Sequence, residues 1–193
     1  MIKRFVLMLF GLLLASLCAN AQPAESAVRE REECAVYSAI IPETYHDYEG
    51  GILVILNPTV RYPHEIARKD FQFFYPAPVV SEETLEDFLQ RNKTDRWLTR
   101  KFELDFAHII ADSTEIKRLT GNPLSDWKDF YKQYPASHGF FHMSRVGFNQ
   151  NMDQALVFEG WRCQGLCGQW EFILLAKRDN VWNIVNRANR EVS

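Results

Sequence analysis

The segment from Gly139 to Val185 constrains this chain more than any other. It contains four apolar, aromatic and β-branched runs, GFFHMSRVGFN, QALVFEGWRC, QWEFILLAK and NVWNIV, separated by short polar breaks. Runs of this length and composition form strands, and breaks this short join antiparallel neighbours rather than βαβ crossovers. The expectation is a C-terminal four-stranded meander.

Cys163-Gln164-Gly165-Leu166-Cys167 falls where the second run turns into the third. A three-residue loop sets the two cysteines opposite one another, at a separation a disulfide can span. A redox pair would favour C-x-x-C, and a metal site would need two further ligands. Pairing about this turn sets Gly160 opposite Trp170, Phe158 opposite Phe172 and Leu156 opposite Leu174. With Arg178-Asp179-Asn180 as the next turn, Trp182 and Ile184 join that face as the expected core.

The same register sets Glu159 opposite Glu171 on the second face, where like charges call for a neutralising partner. An unbroken hairpin with Phe148 opposite Ala155 puts Arg145 across from Phe158, on the apolar face, at a large desolvation cost. A β-bulge near Val146-Gly147 shifts the strand by one residue and turns Arg145 toward the glutamates. Arg145, Glu159 and Glu171 are therefore the candidate ligand-binding residues. They form either an ion pair that fixes strand register or a site for a ligand carboxylate or phosphate.

Upstream, apolar spacing predicts an amphipathic helix from about Ser26 to Ile41, bent or ended by Pro42. A short buried strand follows at Ile52–Leu56. Residues 58–80 carry four prolines and read as irregular, with Phe71, Phe73, Phe74 and Tyr75 tucked inward. Ser81 caps a helix to about Asn92. Phe102–Ile110 reads as a second strand, Thr114–Leu119 as a short helix, and Ser125–Tyr134 as a helix capped by Ser125. Helices mixed with short strands and a terminal meander give an α+β fold, one helix lying on a curved antiparallel sheet. The order of parts is that of a cystatin-like or NTF2-like cone.

The chain opens MIKRFVLMLFGLLLASLCANA: a basic n-region, a short apolar run and an Ala19-Asn20-Ala21 cleavage site. This is the pattern of a cleaved signal peptide over residues 1–21, leaving one domain over 22–193 in a secreted or periplasmic compartment. Lipid anchoring at Cys18 is the alternative, disfavoured because Leu17 stands where a lipobox wants a small residue. Removing Lys3 and Arg4 from the 22 basic residues leaves 20 against 25 acidic, a net of −5. That balance argues against nucleic acid as a partner. No second apolar run follows to make a transmembrane segment.

Ser144-Arg145-Val146-Gly147-Phe148-Asn149, then Gln154-Ala155-Leu156-Val157, then Cys163-x3-Cys167-Gly168 and Trp182 resemble a family of exported bacterial proteins. Tyr134-Pro135-Ala136-Ser137-His138-Gly139 supplies a further piece. The resemblance covers the last third of the chain. It implies export from a bacterial cell and carries no activity.

No nucleophile elbow, zincin, P-loop or dinucleotide motif is present, so no catalytic residue, cofactor or metal is expected. His138-x3-His142 has metal-like spacing, but a strand here keeps the rings apart. Asn149–Asp153 reads as a polar hairpin turn rather than a calcium loop. Asn92-Lys93-Thr94 is a glycosylation sequon only in a eukaryotic source. The leading expectation is a non-enzymatic domain that binds a small molecule or a protein on an aromatic sheet (Phe141, Phe158, Trp161, Trp170, Phe172, Trp182). The alternatives are a hydrolase using Arg145 with Glu159 or Glu171, and a structural, envelope-associated protein.

Overall fold

The computed structural model describes residues 25–45, 51–61, 79–98, 102–121, 127–165 and 167–192. The expected signal peptide and the aromatic cluster Phe71–Tyr75 lie outside these residues. Helix α1 spans 25–45. Glu33, Val36, Tyr37, Ile40, Ile41 and Tyr45 make its buried stripe at helical spacing. The helix continues past Pro42 by three residues, further than expected.

Strand β1 (Leu53–Asn57) is buried at every position, as a central strand is. Its neighbours are β2 (His108–Asp112) and β3 (Phe140–Met143), and both run parallel to it. The second strand therefore starts six residues later than the expected Phe102. Phe102 reaches the core from outside any strand, packing edge-on to Tyr37 at 5.8 Å. Helix α2 (Glu82–Arg91) starts at Ser81, whose hydroxyl accepts from the Thr84 amide at 3.2 Å. Helix α3 (Ser113–Thr120) follows β2 directly, capped by Asp112. Helix α4 (Lys128–Gln133) is entered through Trp127 in left-handed backbone at φ 47. The expected cap at Ser125 is outside the described residues.

The remaining strands are β4 (Gly147–Phe148), β5 (Gln154–Arg162), β6 (Gly168–Arg178) and β7 (Val181–Val192). The sheet order is β2-β1-β3-β5-β6-β7, with β4 also paired to β5. The fold is α+β, and the sheet is mixed: antiparallel from β3 to β7, parallel around β1.

Strands β5 and β6 pair in the predicted register, Phe158 to Phe172 and Glu159 to Glu171. The next hairpin differs. Asp179 and Asn180 alone make its turn, at φ 51 and 63, so Trp182 pairs with Lys177 and Ile184 with Leu175. Asp and Asn tolerate left-handed backbone, which permits the tighter turn. Trp182 and Ile184 are thereby placed on the α1 face with Ile173 and Leu175, not with Phe172. Both sheet faces are covered. Val157, Ile173 and Leu175 lie under α1, while Leu156, Phe158, Phe172 and Leu174 pack against Leu85 and Phe88 of α2.

Between β3 and β4 the register against β5 slips by one, from Met143–Glu159 to Gly147–Leu156. Ser144-Arg145-Val146 absorb the extra residue, which is the predicted bulge. Helix α2 closes the outer edge of this strand. The amide of Arg145 donates to Asn92, that of Phe148 to Asp87 and that of Gln150 to Glu83, at 2.8, 2.8 and 3.2 Å. Polar backbone that a neighbouring strand would otherwise satisfy is thus satisfied by helix side chains. The approach is so close that a Cβ on Gly147 would lie 2.4 Å from the Cβ of Phe88.

Cys163 and Cys167 form the predicted disulfide, with Cα atoms 5.2 Å apart. Cys34 is half-buried on α1 and forms no disulfide among the described residues. The Asn149–Asp153 turn is closed by Asn149, whose Oδ1 accepts from the amides of Asp153 and Gln154 at 3.0 Å. Among the described residues no helix is long and apolar enough to cross a membrane.

Candidate functional site

The bulge turns Arg145 not toward Glu159 or Glu171, as expected, but toward Glu33 of α1. Its Nε lies 3.8 Å from Oε1 of Glu33, a carboxylate 3% exposed on α1. Glu33 also accepts from Arg91 Nη2 at 2.8 Å, the Tyr37 hydroxyl at 3.1 Å and the Val146 amide at 3.0 Å. Burial and the neighbouring Glu33 push the Tyr37 hydroxyl well above its usual pKa, so it remains a donor. Glu33 is thus the acceptor that ties α1, α2 and the bulge together. It was not singled out in the sequence because it sits in an apolar stripe far along the chain from Arg145.

Glu159 and Glu171 do come together, and Arg187 of β7 is the cation between them. Its Nη1 hydrogen-bonds Oε1 of Glu171 and lies 3.6 Å from Oε1 of Glu159. Thr44 of α1 donates to the same Glu159 oxygen at 3.0 Å. Burial, then the hydrogen bond and charge of Glu171, hold the Glu159 carboxyl well above the usual range. Glu159 is therefore the neutral acid of the pair. Its Oε2 is buried and has no hydrogen-bond partner among the described residues, an arrangement that favours the protonated form. One negative charge then faces one guanidinium, and the like-charge conflict is removed. Arg187 was missed because the fourth run was read only to Val185, whereas β7 continues to Val192.

The expected single aromatic face is divided. Phe141, Trp161 and Trp182 lie with α1, whereas Phe158, Trp170 and Phe172 lie with α2. On the α2 side, α3 and strands β1, β3, β5 and β6 line a partly open cavity of about 320 Å³. Leu56, Ile116, Phe140 and Trp170 give it apolar walls, and Lys117 and Arg162 stand on its border. No acidic residue is among its described lining residues.

His142 is the polar group in that wall. It is 3% exposed, and its Nε2 has no hydrogen-bond partner among the described residues. The Trp170 ring covers it, with centroids 4.1 Å apart, and Trp170 in turn stacks on Phe158 at 5.7 Å. The slot for the imidazole exists because residue 160 is glycine. A Cβ there would stand 2.2 Å from Nε2 and 2.4 Å from Trp170. Burial, and secondarily the charge of Arg162, lower the imidazole to a pKa of about 3. His142 is therefore neutral. His138 is exposed on the preceding bend, so the two histidines do not form a pair. No group of three or more potential metal-ligating side chains occurs among the described residues. Glycine in the middle of a buried strand was the sequence signal for this slot.

No family model, no curated protein and no solved structure matches the chain.

Proposed function

We propose that this chain is an exported, non-enzymatic binding domain whose site is the cavity lined by His142, Trp170, Lys117 and Arg162. Its ligand is a small molecule with a flat apolar body and a carboxylate end. The observation that carries the reading is the orphaned Nε2 of His142 in the cavity wall. A buried nitrogen without a partner costs about 1–3 kcal/mol, and a ligand that displaces the Trp170 ring would satisfy it. Two cations on the border and no acid in the described lining select for negative charge.

The reading as an exported bacterial protein rests on the N-terminal targeting pattern and on the motif resemblance in the last third. A disulfide in the terminal meander is compatible with an oxidising compartment. The hydrolase alternative is less favoured because Arg145 lies beside Glu33 and away from the two glutamates, whose cation is Arg187.

A thermal-shift panel of aromatic and medium-chain carboxylates, with matched amines and alcohols, tests the cavity. Carboxylates should raise Tm in the native protein and fail to do so in the double variant Lys117→Glu/Arg162→Glu. Equal stabilisation by amines, or stabilisation that persists in the double variant, would overturn the reading.

A further inference from the structure

We propose that the cleft where α1, the end of α2 and the β3–β4 bulge meet is a second site, for a phosphate-type oxyanion gripped by the guanidinium of Arg145. It shares no lining residue with the His142 cavity and does not depend on it. The cleft holds about 240 Å³, and four of its lining residues are Arg29, Arg91, Arg96 and Arg145, with Ser26 beside them.

The four cations are not equally served. Arg29 pairs with Asp87 at 3.0 Å and Arg96 with Glu30 at 3.1 Å. Arg91 takes the best position on Glu33, at 2.8 Å, and leaves Arg96 at 4.0 Å and Arg145 at 3.8 Å from the same carboxylate. Glu33 has already accepted from Tyr37 and Val146. Among the described residues no hydrogen bond reaches the Arg145 guanidinium, although its side chain is only 17% exposed. Burial and the charge of Arg91 lower its pKa, against the opposing pull of Glu33. Positive charge at Arg145 is therefore under-compensated within the fold.

A guanidinium offers parallel donors that match a tetrahedral oxyanion, and such charge-assisted pairs are strong when partly desolvated. The backbone from which Arg145 projects is fixed, because its amide and carbonyl are both bonded to Asn92. Glu25 also lines the cleft, 3.7 Å from Arg29, and an incoming anion must push this largely exposed carboxylate aside.

The test is calorimetric titration of the full protein with three probes, against chloride at matched ionic strength. The probes are inorganic phosphate, a soluble phosphomonoester, and phosphatidylcholine vesicles containing phosphatidic acid. Binding of either soluble probe identifies a soluble phosphate as the ligand; binding of the vesicles alone identifies a lipid headgroup. Arg145→Gln should weaken binding about tenfold or more, and Arg96→Gln by a smaller factor, while Lys132→Gln changes nothing. If Arg145→Gln does not fold, the partly exposed Arg96 decides the matter. Heat no greater than that of chloride on all three arms, or unchanged affinity in the folded Arg variants, overturns the proposal.

Discussion

Asn92 holds Arg145 by both sides of its backbone: Oδ1 accepts from the Arg145 amide at 2.8 Å, and Nδ2 donates to the Arg145 carbonyl at 2.9 Å. Nδ2 also donates to the Phe88 carbonyl at 2.8 Å, and the residue is 1% exposed. The helix that ends at Asn92 is thereby fastened to the bulge that aims Arg145. Asn92→Ala leaves the Arg145 amide without a partner and takes one of two donors from the Arg145 and Phe88 carbonyls, which keep the Ser144 hydroxyl and the residue-92 amide. It should cost about 1–3 kcal/mol in urea unfolding. The sequon at Asn92 should also carry no glycan on the folded protein, even after expression in a eukaryotic host. A glycosylated, folded product by mass spectrometry would contradict the placement.

Glu33→Ala removes the one carboxylate shared by three guanidiniums. Stranding buried charge in this way typically costs about 3–5 kcal/mol. The loss should be partly recovered in Glu33→Ala/Arg145→Met, where the under-compensated cation is gone as well. Chemical denaturation of both variants checks the coupling.

Two buried groups set opposing pH dependences. Glu159 holds its proton more tightly folded than unfolded, so its contribution is complete below 4.5 and is lost as pH rises through the folded value. His142 has a folded pKa of about 3 against 6.5 unfolded, so its contribution is complete above 6.5 and is lost as pH falls toward 3. Each can change stability by at most about 1.4 kcal/mol per pH unit. Glu159→Gln should flatten the decline on the alkaline side, and His142→Gln the decline on the acid side, in unfolding curves taken across pH.

Phe172 is 1% exposed and packs on Phe88 and Phe158. Phe172→Ala should cost about 3–5 kcal/mol by cavity formation. Gly160→Ala acts by the reverse route, overpacking. Its methyl group would displace Trp170 from His142, which should shift indole fluorescence and cost about 1–3 kcal/mol.

Export makes a simpler prediction. N-terminal sequencing of the protein recovered from outside the cytoplasm should begin at Gln22. A start at a lipidated Cys18 would make it membrane-anchored.

The sequence was most informative where local geometry leaves little choice. The C-x3-C loop admits one pairing of β5 with β6, and that pairing is observed residue for residue. The bulge at Arg145 was legible because an unbroken strand would have buried a guanidinium among apolar side chains. Its partner was not, because Glu33 reaches it only through packing of α1, which no local pattern encodes. The last hairpin failed by one residue for a related reason. Three polar residues follow one another at Arg178-Asp179-Asn180, and composition alone does not say which of them turn. The pocket of His142 required knowing that α3 lies over β1 and β3, a parallel arrangement hidden in the first half of the chain.

The contact between Gly147 and Phe88 bears on how molecules of this chain meet one another. A free strand margin recruits strands from neighbouring copies, and sheets are commonly protected by charge, proline or a covering element. At β4 the protection is a helix set against glycine, with its carboxylates and amides occupying the donors a foreign strand would need. Self-association through added strands is therefore directed away from β4 and toward β2 and β7, the two ends of the sheet order. Gly147→Val would lift the guard helix, and the variant should aggregate from its native state at temperatures where the parent remains monodisperse.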